Sequence, residues 1–232
     1  MASLRAGWGR RAGATHRPGI VAAFALLVLA ACAPRTAESP SPAPAPAPAA
    51  APAVPPLGPS APPLRVGGQR ILVLPVQATS GLPAEAQQRV GAEILFALGE
   101  RESRVTWISP EELERALRRS PGFAGDPRNL PADPLMHHRE RRAVEPLIGE
   151  LRRYAALTDA RLALLPRSVA FLRHAGADMG RVRLSAALID TRSGDLVWWG
   201  EAEGDPAAVA DTRALASAAA ALAARMLVPA TP

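Results

Sequence analysis

Residues 33–64 read APRTAESPSPAPAPAPAAAPAVPPLGPSAPPL, and nothing else in the 232-residue chain limits its folding so sharply. Recurrent Pro fixes φ and removes backbone N–H donors, so helix and sheet are both disfavoured and polyproline II is expected. At about 3.1 Å per residue, such a stretch reaches on the order of 100 Å when fully extended. It reads as a semi-rigid spacer, with unselected low-complexity sequence as the plainer alternative. The chain is thereby divided into residues 1–31, 32–64 and 65–232, and one folded domain is expected in the last of these. A domain of about 165 residues buries roughly 70% of the surface its unfolded chain exposes, enough for a single core.

Upstream of the spacer lie Arg5, Arg10, Arg11 and Arg17, then the apolar run IVAAFALLVLAA over residues 20–31. Twelve residues at 1.5 Å each reach about 18 Å, short of the roughly 30 Å hydrocarbon core, so the run is a signal h-region and not a membrane span. It ends Leu29-Ala30-Ala31-Cys32, which resembles the lipobox of bacterial lipoproteins. That resemblance implies cleavage before Cys32, a diacylglyceryl group on its thiol, and an acyl chain such as palmitate on its new amine. One acyl chain holds a protein weakly, whereas two or three make attachment stable. Ala33 stands where Asp retains enteric lipoproteins in the inner membrane, so the same analogy implies an outer-membrane protein facing the periplasm. As the only cysteine, Cys32 also excludes an intramolecular disulfide and a thiolate zinc site.

The formal charge of +6 invites a nucleic-acid reading. Cleavage before Cys32 removes four Arg and no acid, leaving 23 Arg against 21 carboxylates. No Arg run with interleaved aromatics tracks a strand or helix, so no nucleic-acid partner is expected.

Beyond residue 65, strand and helix signals alternate. Residues 71–76, ILVLPV, are apolar throughout, as in a strand buried on both faces. A helix follows from about Pro83 to Leu98, with Ala86, Val90, Ile94 and Leu98 on one face and Gly99 as its stop. A second strand is expected over residues 104–108. Ser109-Pro110-Glu111-Glu112 is a capping-box helix start. Residues 120–134 read as a long surface loop, and Glu145-Pro146 opens a helix carrying Leu147, Ile148, Leu151 and Tyr154. Three strands follow, over residues 161–172, 181–190 and 196–203, and Asp211 caps a last Ala-rich helix. The fold expected is α/β (α+β), with a mixed sheet of about five strands and four helices.

Residues 71–76, the Ser109-Pro110 helix start and the run Ile189-Asp190-Thr191-Arg192-Ser193-Gly194-Asp195-Leu196-Val197-Trp198 together resemble the N-terminal α/β domain of the Tol translocation protein TolB. Similar domains occur in lipoprotein activators of penicillin-binding proteins and in curli-secretion lipoproteins. The resemblance implies a binding module without catalysis or cofactor, docking on an envelope partner such as a cell-wall synthase or a transport assembly. A subunit of an oligomeric secretion or transport complex is the alternative, and an uncharacterised hydrolase a third. The insertion over residues 120–142 departs from the compact pattern.

The residues themselves add little chemistry. Asp133, His137, His138 and Glu140 could be imagined around a metal, but Arg139, Arg141 and Arg142 crowd them with positive charge, so no metal is expected. No Gly-x-Ser-x-Gly elbow is present, and a chain without Lys has no phosphate-binding Gly-x-x-x-x-Gly-Lys loop. His174, near a turn, reads as an exposed imidazole. Trp198 and Trp199, adjacent on a strand, point to opposite faces, so at least one fills the core and the other is a candidate partner-binding anchor.

Overall fold

A computed structural model describes residues 57–132, 141–174 and 179–229, all within one compact unit, Ala49–Pro232. Its elements, in chain order, are β1 (Arg70–Val73), β2 (Ala78–Ser80), α1 (Ala84–Arg101), β3 (Thr106–Ile108), α2 (Pro110–Arg119), α3 (Leu147–Thr158), β4 (Leu162–Arg173), β5 (Met179–Asp190), β6 (Leu196–Glu203), β7 (Ala207–Ala208) and α4 (Thr212–Met226). The strands form one mixed sheet in the order β3-β1-β4-β5-β6, with β2 added to β4 and β7 to β5. β1 runs parallel to β3 and β4, while β4, β5 and β6 form an antiparallel meander.

Alternation along β1 sorts the core into two layers. Ile71 and Val73 join Leu162, Leu164, Leu188 and Trp198 beneath α1 and α4, whereas Leu72 and Leu74 join Ala163, Leu165, Ala187 and Ile189 beneath α2 and α3. A strand sandwiched between helices on both faces has no polar side to show, which is why residues 71–74 are apolar without interruption. The fold is therefore α/β with four described helices, two on each face of the sheet.

The capping box of α2 is realised in full. Glu112 N donates to Ser109 Oγ at 3.2 Å and Ser109 N to Glu112 Oε2 at 2.9 Å. Three expectations are corrected. α1 does not stop at Gly99 but continues to Arg101, whose Nε donates to Leu227 O and so ties the last turn to the chain after α4. β1 ends at Val73, because Pro75 cannot donate to a ladder, and the presumed turn after it contains the three-residue β2. The presumed surface loop after α2 folds down: Leu130 and Ala132 are buried in the α2/α3 layer, and Gln77 pins the loop through Pro127 O and Leu130 N.

In β4 the ladder slips between Pro166 and Ser168, leaving Arg167 as an extra residue opposite β5. That bulge lets a proline sit inside a central strand and brings a guanidinium into the sheet.

Candidate functional site

The site begins at the free edge of β6. The residues just before the expected domain boundary run along that edge, antiparallel to β6. Ala61 N donates to Trp199 O at 2.8 Å, Glu201 N to Ser60 Oγ at 3.4 Å, and Gly58 N to the Glu201 carboxylate at 3.2 Å. Leu64 then bridges to the end of α4, its N–H donating to Met226 O at 2.8 Å and its carbonyl accepting from Val228 N at 3.0 Å. Ala61 is buried in the α1/α4 layer. Gly200 permits the close approach, since a Cβ there would come within 2.9 Å of Ser60 Cβ. Thus residues 57–64, expected to belong to the spacer, are part of the folded unit.

A polar row lies on the sheet face that carries Trp199. Register pairing brings Ser168 against Ser185 and Ser185 against Glu201, with Arg183 opposite Glu203. The two serine hydroxyls are 2.7 Å apart, and Arg183 Nε donates to Glu203 Oε1 at 2.9 Å. Arg167, 4% exposed, joins this region from the bulge. Burial lowers its pKa, and the Glu201 carboxylate offsets part of that. Glu201 therefore faces both the buried cation and the backbone of the docked segment, and its own carbonyl accepts from Arg225 of α4.

The two tryptophans divide as the pleat requires. Trp198 is fully buried in the α1/α4 layer and offers no surface to a partner, so it is withdrawn as a contact residue. Trp199 is half-buried on the opposite face, and the Arg141 guanidinium lies 5.3 Å from its ring centroid. Of the two tryptophans, Trp199 is the one that keeps some surface. His174 is exposed at the end of β4. Leu29, Ala30, Ala31 and Cys32, together with Asp133, His137, His138 and Glu140, lie outside the described residues. Among the described residues no cluster of His, Cys, Asp and Glu is placed to hold a metal, and no helix is long and apolar enough to cross a membrane.

A second charged feature lies at the other end of the sheet. Arg152 and Asp159 of α3 and its exit, Arg161 before β4, and Thr191 and Arg192 after β5 line a cavity of about 370 Å3. Sequence reasoning found neither this cavity nor the docked segment.

No protein-family model and no curated protein matches the chain. Solved structures similar to it include the lipoprotein GNA1162 from Neisseria meningitidis, 16% identical over 58% of this chain and 78% of that one, with a TM-score of 0.36. The PelC dodecamer from Paraburkholderia phytofirmans is 15% identical over 73% and 96%, at 0.41. The LpoB C-terminal domain from Salmonella enterica is 15% identical over 60% and 84%, at 0.38. A protein named as a lipoprotein is thus among the similar structures.

Proposed function

We propose that the chain is a lipid-anchored, non-enzymatic binding module of the cell envelope, cleaved before Cys32, held in the outer membrane and facing the periplasm. On this reading its folded unit docks on an envelope partner such as a cell-wall synthase or a transport assembly. The observation that carries the anchor is Leu29-Ala30-Ala31-Cys32 at the end of a twelve-residue apolar run, followed at once by Pro-rich sequence in which a core cysteine has no place. The docked segment adds support, because it gives the spacer a fixed point of attachment on the β6 edge. With 23 Arg against 21 carboxylates after cleavage, the mature charge is nearly balanced, which leaves the lipid as the dominant membrane contact.

Fractionation of cells carrying Cys32→Ser tests the anchor. The unmodified protein is expected in the membrane fraction with a lipidated N-terminal peptide by mass spectrometry, and the variant in the soluble fraction. A variant that stays membrane-bound overturns the anchor. Crosslinking in cells that recovers no envelope protein overturns the docking role.

A further inference from the structure

We propose that the cavity between the end of α3 and the β5–β6 turn is a binding site for a phosphate-bearing ligand, held by Arg152, Arg161 and Arg192. These three arginines line a space of about 370 Å3, within the usual range of small-molecule sites and larger than a bare phosphate needs. Ala155 and Ala156 supply small walls on the α3 side. Arginine suits such a ligand because its planar fork of donors matches phosphate oxygens two at a time.

The site is built rather than draped. Arg161 is fixed by Asp190, Nε to Oδ2 at 3.1 Å, and that carboxylate is itself held by the N–H groups of Arg192 and Ser193 at 2.9 and 3.2 Å. Thr191 is 2% exposed, and its hydroxyl donates to Arg161 O at 2.8 Å, which locks the floor. Arg152 reaches across the cavity to donate to Arg192 O at 2.9 Å.

The acids nearby leave a surplus of positive charge. Asp190 is committed to Arg161, Asp159 lies 3.8 Å from Arg70, and Glu145 lies 3.9 Å from Arg152, so five arginines, counting Arg142 and Arg192, face four acids, counting Asp195. Asp195 pairs with Arg142 at 3.3 Å. Arg192 has no acidic partner among the described residues. The C-terminal carbonyls of α3 would repel an anion, but Arg70 already binds those of Thr158 and Asp159.

Position narrows the ligand's origin. Leu162 pairs with Asp190 at the cavity end of the β4–β5 ladder, while the docked segment runs from Trp199 toward Glu203, which pairs with Arg183. Seven strand positions separate Arg183 from Asp190, roughly 23 Å at 3.3 Å per residue. The cavity thus opens at the end of the sheet opposite to the one toward which the chain runs from Ala61 back to Gly58.

The test titrates the full chain, purified in detergent, with inorganic pyrophosphate and separately with short-chain phosphatidylglycerol and phosphatidylcholine, followed by calorimetry. Saturable pyrophosphate binding is expected, weakened at least tenfold in Arg152→Ala and in Arg192→Ala, partly restored in Arg192→Lys, and unchanged in Arg119→Ala, which removes the same charge from the end of α2. Tighter binding of phosphatidylglycerol with the same dependence on Arg152 and Arg192 supports the site and identifies a lipid headgroup as the source; tighter pyrophosphate supports a free or glycan-borne phosphate. Absence of saturable binding overturns the proposal. So does binding that Arg119→Ala weakens as much as Arg192→Ala, or binding of phosphatidylcholine equal to that of the anionic probes. All these readouts are independent of whether Cys32 is lipidated, so the anchor and the cavity fail separately.

Discussion

Asp190 occupies the last position of β5 and organises the turn beyond it. Burial pushes its carboxyl pKa up, but the N–H groups of Arg192 and Ser193 and the Arg161 guanidinium together outweigh that and hold it below the ordinary value. A carboxylate whose folded pKa is depressed contributes stability that is complete above its unfolded pKa of about 3.9 and is lost as pH falls through the folded value. Asp190→Asn is accordingly expected to lower stability by about 1–3 kcal/mol at pH 7. Denaturant titrations should show that difference shrinking as the pH drops below about 4; a gap of equal size at pH 7 and pH 3 would contradict the assignment. Trp198 makes a different point at this scale. Its Nε1 is buried with no hydrogen-bond partner among the described residues, so the ring is placed by its volume in the α1/α4 layer and not by its polar atom. Pleat geometry announced that the paired rings would part, but not which one would be buried, because that depends on the register of β6 against β5.

At the scale of elements, what could be read from sequence followed local chemistry. Ser109 and Glu112 close a box within one turn, and the α2 start could be read directly. The all-apolar residues of β1 announced burial on both faces. β2 could not be read, because Ala78, Thr79 and Ser80 are all exposed and acquire strand geometry only by pairing with the outer half of β4. The helix runs past Gly99, since an interior glycine costs only roughly 1 kcal/mol, and Arg101 adds a contact to Leu227 O in the last turn. The cavity arginines are scattered over forty residues, and only the packing of α3 against the start of β4 and the end of β5 gathers them. The docked segment was hidden by its prolines: Ala61 and Leu64 are the apolar residues that settle onto the domain, and nothing in their spacing says so. That segment also covers the edge of β6, and exposed edges invite pairing with other chains. Removing residues 57–63 should lower the melting temperature by roughly 5–10 °C, as expected for losing about 2–3 kcal/mol in a domain of this size. It should also produce concentration-dependent dimers by gel filtration. A shortened protein that melts like the full chain and stays monomeric would show that the segment contributes nothing.

For the molecule as a whole, the reach of the spacer is set by the residues that remain outside the fold. Residues 57–64 are bound to the domain and add nothing to that reach. At about 3.1 Å each, these eight positions take roughly 25 Å from the ~100 Å expected of residues 33–64. Deleting residues 39–50 should leave membrane attachment intact while removing roughly 37 Å of span. Site-specific crosslinking to the envelope partner is then expected to fall sharply at unchanged protein level. Crosslinking that persists at full yield would mean that the partner lies close to the membrane surface and that spacer length is immaterial.

The docked segment has a mechanical consequence as well. Tension on Cys32 would enter the domain through Gly58 and Ala61, along the direction of a strand held to β6 by hydrogen bonds, which places those bonds in shear. Because the segment is already extended along β6, yielding there adds little length and passes the load to Leu64 and its hydrogen bonds with Met226 and Val228. The edge of β6 is therefore a shear joint, in which the bonds to Trp199 and Glu201 resist a pull together and not one at a time.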